Sequence, residues 1–123
     1  MTRDLLAGGI NARVGSAAGP VLFRLDVEGR IVFWSEEARR KLGYSPMEVM
    51  GRSYGRLFPA TEAAGLAPAR ELGEAESNGR AECSGWRIRR DGGQVPAASV
   101  ITAERAASGE LVGFSVTDRP SKG

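Results

Sequence analysis

GWRIRRDGGQVPAASVITAERAASGELVGFSVT, residues 85–117, reads as three consecutive strands joined by two short hairpins. Trp86-Arg87-Ile88-Arg89-Arg90 alternates apolar and cationic side chains, the period-2 pattern of a strand. Asp91-Gly92-Gly93 supplies the positive-φ positions of a tight turn. Val95 to Thr102 is rich in small and β-branched residues, Ser108-Gly109-Glu110 makes the second turn, and Leu111 to Thr117 is the third strand. A meander of this kind is a scaffold for sensing or binding. It is not by itself a catalytic centre.

Working outward, the N-terminal side carries a second hairpin. Val21 to Leu25 and Ile31 to Trp34 are strands around the turn Asp26-Val27-Glu28-Gly29. Ser35 sits where a helix cap belongs, with Glu36 and Glu37 in the first turn, Arg39, Arg40 and Lys41 in the last, and Gly43 as the stop. Ser45-Pro46-Met47-Glu48 repeats the pattern of serine cap, proline at the first position and glutamate three residues after the cap. Ser53 to Phe58 is a short helical turn, and a longer helix starts near Pro68 and stops at Gly79, with Leu66 and Leu72 as its expected anchors. Residues 1–19 read as a short helix, an ordered arm or a partly disordered one, since Gly8 and Gly9 each weaken a helix by about 1 kcal/mol relative to Ala. Two strands, short helices, then three strands predict an α+β domain with one antiparallel sheet. Its strands are expected near 21–26, 30–35, 81–90, 94–104 and 110–117, with the helices of 36–78 on one face.

Composition narrows the function. At 123 residues the chain is sized for one domain. Its 17 basic and 15 acidic residues are interspersed, so the basic balance reads as a solvated surface and not a nucleic-acid footprint. There is no apolar run of membrane-spanning length, and residues 1–20 lack the apolar core of a secretory signal. The single cysteine, Cys83, has no internal disulfide partner, which suits a reducing cytoplasm. The absence of histidine removes a Ser-His-Asp triad, histidine metal ligands, a histidine-ligated haem and a phosphoacceptor histidine.

The ordered set Asp26-x-x-Gly29-x-Ile31-x-x-Trp34-Ser35-x-x-Ala38-x-x-x-Leu42-Gly43-Tyr44, then Glu48-Val49-x-Gly51-Arg52, resembles the first half of a PAS domain. Gly79-Arg80-Ala81-Glu82, Gly85 to Gly92, and Gly109-Glu110-Leu111-Val112-Gly113-Phe114 resemble its second half. The resemblance is to the bacterial sensory-box type found in sensor histidine kinases and transcriptional regulators. It implies a five-stranded antiparallel sheet with short helices on one face over residues 20–118. Residues 1–19 would be an arm or cap helix, and 119–123 a tail toward an effector outside this chain. Two departures stand out: Ser35 replaces the usual asparagine, and Asp118-Arg119-Pro120 replaces the usual closing Asp-Ile/Leu-Thr.

The resemblance also directs the reading of sites. Haem-binding members carry a histidine near the position of Pro68, and none is present here. Photoactive flavin members carry a cysteine in the segment that reads Gly51-Arg52-Ser53-Tyr54-Gly55-Arg56 here, so no thiol adduct is expected, while a non-covalent flavin stays open. No metal or catalytic residue is assigned. By the parity of flavin- and haem-binding relatives, counted from Asp91, Cys83, Gly85, Arg87, Arg89, Ala97, Ser99 and Ile101 turn toward the helices, with Leu111, Gly113 and Ser115 following on the last strand. Together with Phe33, Ser35, Leu57 and Leu72, the residues Cys83, Arg87, Ala97, Ser99, Ile101 and Ser115 form the expected pocket wall. Arg87 would need an acid, either from a ligand or from the chain, with Glu36, Glu37 or Glu82 as internal candidates. The opposite parity puts Trp34, Val32, Trp86, Ile88, Val100, Phe114 and Val116 on the outer face, to be covered by the arm, a second subunit or both.

The functional expectation is therefore a cytoplasmic sensory and dimerisation module of a bacterial signal-transduction protein. It would bind a small molecule, homodimerise, and regulate a histidine kinase or transcriptional effector lying outside the chain, with no direct contact to nucleic acid or membrane. The alternatives are a protein-interaction PAS domain with a self-filled pocket, and a small enzyme, for which the sequence shows no convergent acid, base or nucleophile.

Overall fold

A computed structural model describes residues 20–61 and 66–119, so the expected arm at 1–19 and residues 120–123 of the expected tail lie outside the described residues. The elements run β1 (Val21–Leu25), β2 (Ile31–Trp34), α1 (Glu36–Leu42), α2 (Pro46–Val49), a 3-10 turn (Tyr54–Leu57), α3 (Ala67–Asn78), β3 (Arg80–Ile88), β4 (Gln94–Arg105) and β5 (Leu111–Asp118). The strands form one sheet in the order β2-β1-β5-β4-β3, every pair antiparallel. First and last strands thus lie side by side at the centre, and the helices pack on one face.

Local chemistry explains the helix ends. The Ser35 hydroxyl accepts from Ala38 N–H at 3.1 Å, and Gly43 closes α1 at φ 87°. At α2 the Glu48 carboxylate accepts from Ser45 N–H at 2.8 Å and also from Arg90 Nε at 2.7 Å, tying this helix to the β3–β4 hairpin. The same hairpin bonds to α1, where Arg90 N–H donates to the Leu42 carbonyl at 2.8 Å and Arg89 Nη1 to the Lys41 carbonyl at 2.7 Å. Beside β2, Ile31 N–H donates to Arg52 O and Tyr54 N–H to Gly29 O, both at 2.8 Å, which fixes where the Tyr54 side chain starts. In α3 the buried residues are Ala67 and Ala75, whereas the expected anchor Leu66 is exposed with φ 67° and Leu72 is partly buried beside Gly29. Small side chains let this helix sit close to the sheet.

One row of core residues crosses all five strands: Trp34, Phe23, Val116, Ile101 and Ala81 are successive partners and share the helix-facing side. The Phe23 and Trp34 rings stack with centroids 5.2 Å apart, and Trp34 Nε1 donates to the Tyr44 carbonyl at 2.9 Å. Trp34, Phe114 and Val116 therefore belong to the interior and not to the outer face expected for them. Phe33 and Ser115 are corrected in the opposite sense: they face away from the helices, opposite Arg24 on either side of β1.

The cause is a pair of β-bulges. Arg24 pairs with Phe33 but Leu25 with Ile31, leaving Val32 unpartnered. Glu104 pairs with Gly113 but Arg105 with Leu111, leaving Val112 unpartnered. Each extra residue reverses the in–out sense of the strand beyond it. Trp86, Ile88 and Val100 do lie on the outer face: Trp86 is 47% exposed, Ile88 partly buried and Val100 buried.

Candidate functional site

Between the sheet and the helices lies a cavity of about 340 Å³. Leu22, Leu42, Leu57 and Val95 give it an apolar wall, and Ala97 and Ser99 leave room on β4. Arg87 enters from β3, while Lys41 and Asp118 stand at the wall with their side chains half exposed and paired at 3.0 Å.

Arg87 is buried and held by its own chain. Its Nη2 donates to the Tyr54 hydroxyl at 3.2 Å, its Nη1 to the Trp86 carbonyl at 3.0 Å, and Nη2 lies 3.5 Å from the Glu71 carboxylate. Tyr54 in turn donates its O–H to Glu71 at 3.0 Å. The guanidinium carbon stands 4.0 Å from the Phe58 ring centroid, a cation–π contact. The internal acid is thus Glu71 of α3, and not Glu36, Glu37 or Glu82: the first two pair with Arg39 and Arg40 on their own helix, and Glu82 lies across from Arg80 and Arg119. Burial pushes the Tyr54 phenol well above the ordinary tyrosine range, against the pull of Arg87. Burial also pushes the Cys83 thiol up to about 12, reinforced by the neighbouring Glu71 carboxylate.

Of the expected pocket residues, Leu57, Arg87, Ala97 and Ser99 line the cavity. Cys83 and Ile101 face the same way but are packed into the core, and Leu72 packs against that core under Gly29. Ser35 is at the α1 cap, its hydroxyl engaged with the helix backbone. Phe33 and Ser115 are on the other face. Sequence reading missed Tyr54, Phe58, Glu71, Lys41 and Asp118. A signal for the first was available, since Ser53 caps the 3-10 turn by accepting from Gly55 N–H at 3.1 Å, and a capped turn aims its first residue consistently. Among the described residues no cluster of three or more potential metal ligands is present, and no helix is long and apolar enough to cross a membrane.

A two-plus-three stranded antiparallel meander with its first and last strands central, and a cavity under the helices, is matched from residue 11 to residue 120 by the PAS fold family. The chain belongs to the PAS family. A two-component system protein A from Emericella nidulans is 36% identical over 81 residues, covering 66% of this PAS chain, and the matched stretch spans 12% of that longer protein. Among solved structures, the PAS domain of a Colwellia psychrerythraea protein superimposes with a TM-score of 0.70 at 17% identity, covering 82% of this chain and 86% of that one. The dark structure of the blue-light photoreceptor Aureochrome1 LOV gives a TM-score of 0.68 at 17% identity, covering 97% and 90% respectively. At such identities these two likenesses speak for the PAS fold alone.

Proposed function

We propose that this chain is the sensory and dimerisation module of a cytoplasmic signal-transduction protein. A small molecule enters the cavity, and its binding shifts the populations of states that an effector reads. The observation that carries this reading is the cavity itself: about 340 Å³, apolar over most of its wall, with a buried guanidinium at one point. Small-molecule sites share that make-up, an apolar lining with a few placed polar groups. The likeness to a two-component system protein supports a signalling setting, with a histidine kinase or transcriptional regulator as the effector outside this chain. The role proposed is sensory, resting on the cavity and on membership of the PAS family.

Likeness to light-oxygen-voltage domains, one of them described with a flavin analogue, raises flavin as a ligand. Adduct chemistry is not part of the proposal: residues 51–58 hold no thiol, and Cys83 sits on β3 with its pKa raised. A flavin would have to bind non-covalently. Homodimerisation is proposed through the outer sheet face, where Trp86 and Phe33 are exposed.

A protein-interaction module with a self-filled pocket is the second reading, favoured by one observation: Arg87 already has Tyr54 and Glu71 as partners. Native mass spectrometry of the purified chain separates the two. A retained small molecule lost on denaturation supports the first, and ligand-free dimers support the second.

A further inference from the structure

Arg87 carries a full charge on a side chain only 6% exposed, and a desolvated cation needs compensation. The chain provides it through the Glu71 carboxylate at 3.5 Å, with the Tyr54 hydroxyl bridging the two. The second cation at the cavity, Lys41, is likewise matched, by Asp118 at 3.0 Å. Charge at the wall is balanced before any ligand arrives. An entering carboxylate or phosphate would lose its hydration and meet no uncompensated cation, and an ammonium would meet no uncompensated acid.

Hydrogen-bonding capacity is another matter. A guanidinium has five N–H groups. Among the described residues, Arg87 Nε–H has no acceptor, and Nη1 uses one of its two hydrogens on Trp86 O. The cavity therefore offers donors without net charge, set in an apolar wall of Leu22, Leu42, Leu57 and Val95. Its 340 Å³ corresponds to about eleven water volumes, enough for a body the size of a substituted ring.

We propose that the cavity takes an uncharged small molecule with an apolar body and a carbonyl-type acceptor, the acceptor bonded to the Arg87 guanidinium. This deepens the sensory reading above and rests on it. A ligand carboxylate is disfavoured because Glu71 already occupies that role.

The test is a matched set of one body with three charges: 3-phenylpropanamide, 3-phenylpropanoate and 3-phenylpropylammonium, titrated calorimetrically into the full chain at neutral pH. The amide is expected to bind about tenfold more tightly than either ion, and to move the Nε–H resonance of Arg87. In Glu71→Gln, which leaves the guanidinium uncompensated, the order should invert in favour of the propanoate. Equal or tighter binding of the propanoate by the unaltered chain overturns the proposal, whatever the variant does. So does failure of all three to bind. A charged molecule retained through purification and identified by native mass spectrometry would also overturn it, while leaving the sensory role standing.

Discussion

A Cβ added to Gly113 would stand 2.5 Å from the carbonyl oxygen of Leu25, closer than real Cβ atoms come to any backbone. Here β5 approaches β1 at the end of the central pair, beside the Leu25–Phe114 pairing, and neither partner is a flexible side chain that could yield. Gly113→Ala should cost about 1–3 kcal/mol, read as a lowered urea midpoint with an unchanged slope. Gly73→Ala is the contrasting case: nothing lies within 4 Å of its added methyl on the exposed face of α3. That variant should gain about 0.5–1 kcal/mol. If both variants shift the midpoint in the same direction, the close-approach argument fails.

Tyr54→Phe removes the hydroxyl between Arg87 and Glu71 and should cost about 1–3 kcal/mol at neutral pH, because a buried and a partly buried charged group lose a hydrogen-bond partner. The pH dependence has a definite sign. The folded phenol titrates above its unfolded value near 10, so above that pH the unfolded chain releases a proton that the folded chain keeps. Stability present below pH 10 is lost as pH rises toward the folded value. Tyr54→Phe should show a shallower alkaline decline than the unaltered chain in parallel urea titrations, and identical slopes would count against it.

Cys83 should be a poor nucleophile in the folded chain. Its thiol is pushed up to about 12, leaving little thiolate at pH 8. A chromogenic disulfide reagent is expected to react slowly with native protein and at once in denaturant. Fast native labelling would show that the β3 face opens far more readily than its packing implies.

The two tryptophans should behave differently. Trp34 is 5% exposed and bonded through its indole N–H, whereas Trp86 is 47% exposed on an edge strand. Trp86→Ala should weaken self-association in sedimentation experiments by about tenfold or more, if this ring is a central anchor. It should leave cavity titrations unchanged. Trp34→Ala should destabilise the fold by about 3–5 kcal/mol. A Trp86→Ala chain that associates like the unaltered one would rule this ring out as an anchor of self-association.

Much of the architecture is legible in the amino-acid sequence, because turn glycines and helix caps act locally. Asp91-Gly92-Gly93 and Ser35 do what their chemistry dictates. The faces of the flanking strands are not legible, for a physical reason. Parity counted from Asp91 holds along β3 and β4, where every pairing keeps one register. It fails past Val112 and Val32, since a bulge looks in sequence like one more β-branched strand residue. A second failure concerns Arg87. Its acid comes from Glu71, one of several carboxylates on a polar helix, and periodicity alone does not rank them.

The pairing of Val21 with Thr117 carries a mechanical consequence. The chain enters β1 and leaves β5 at the same end of the two central strands, about one strand spacing apart, on the order of 5 Å. A load that draws these two points apart meets the β1–β5 hydrogen bonds one at a time, as a zipper does, and not all together as in shear. The domain is thus compliant along the line joining these two points, and a small tug there reaches Phe23 and Val116, in the middle of the core, as soon as the Val21–Thr117 pair gives.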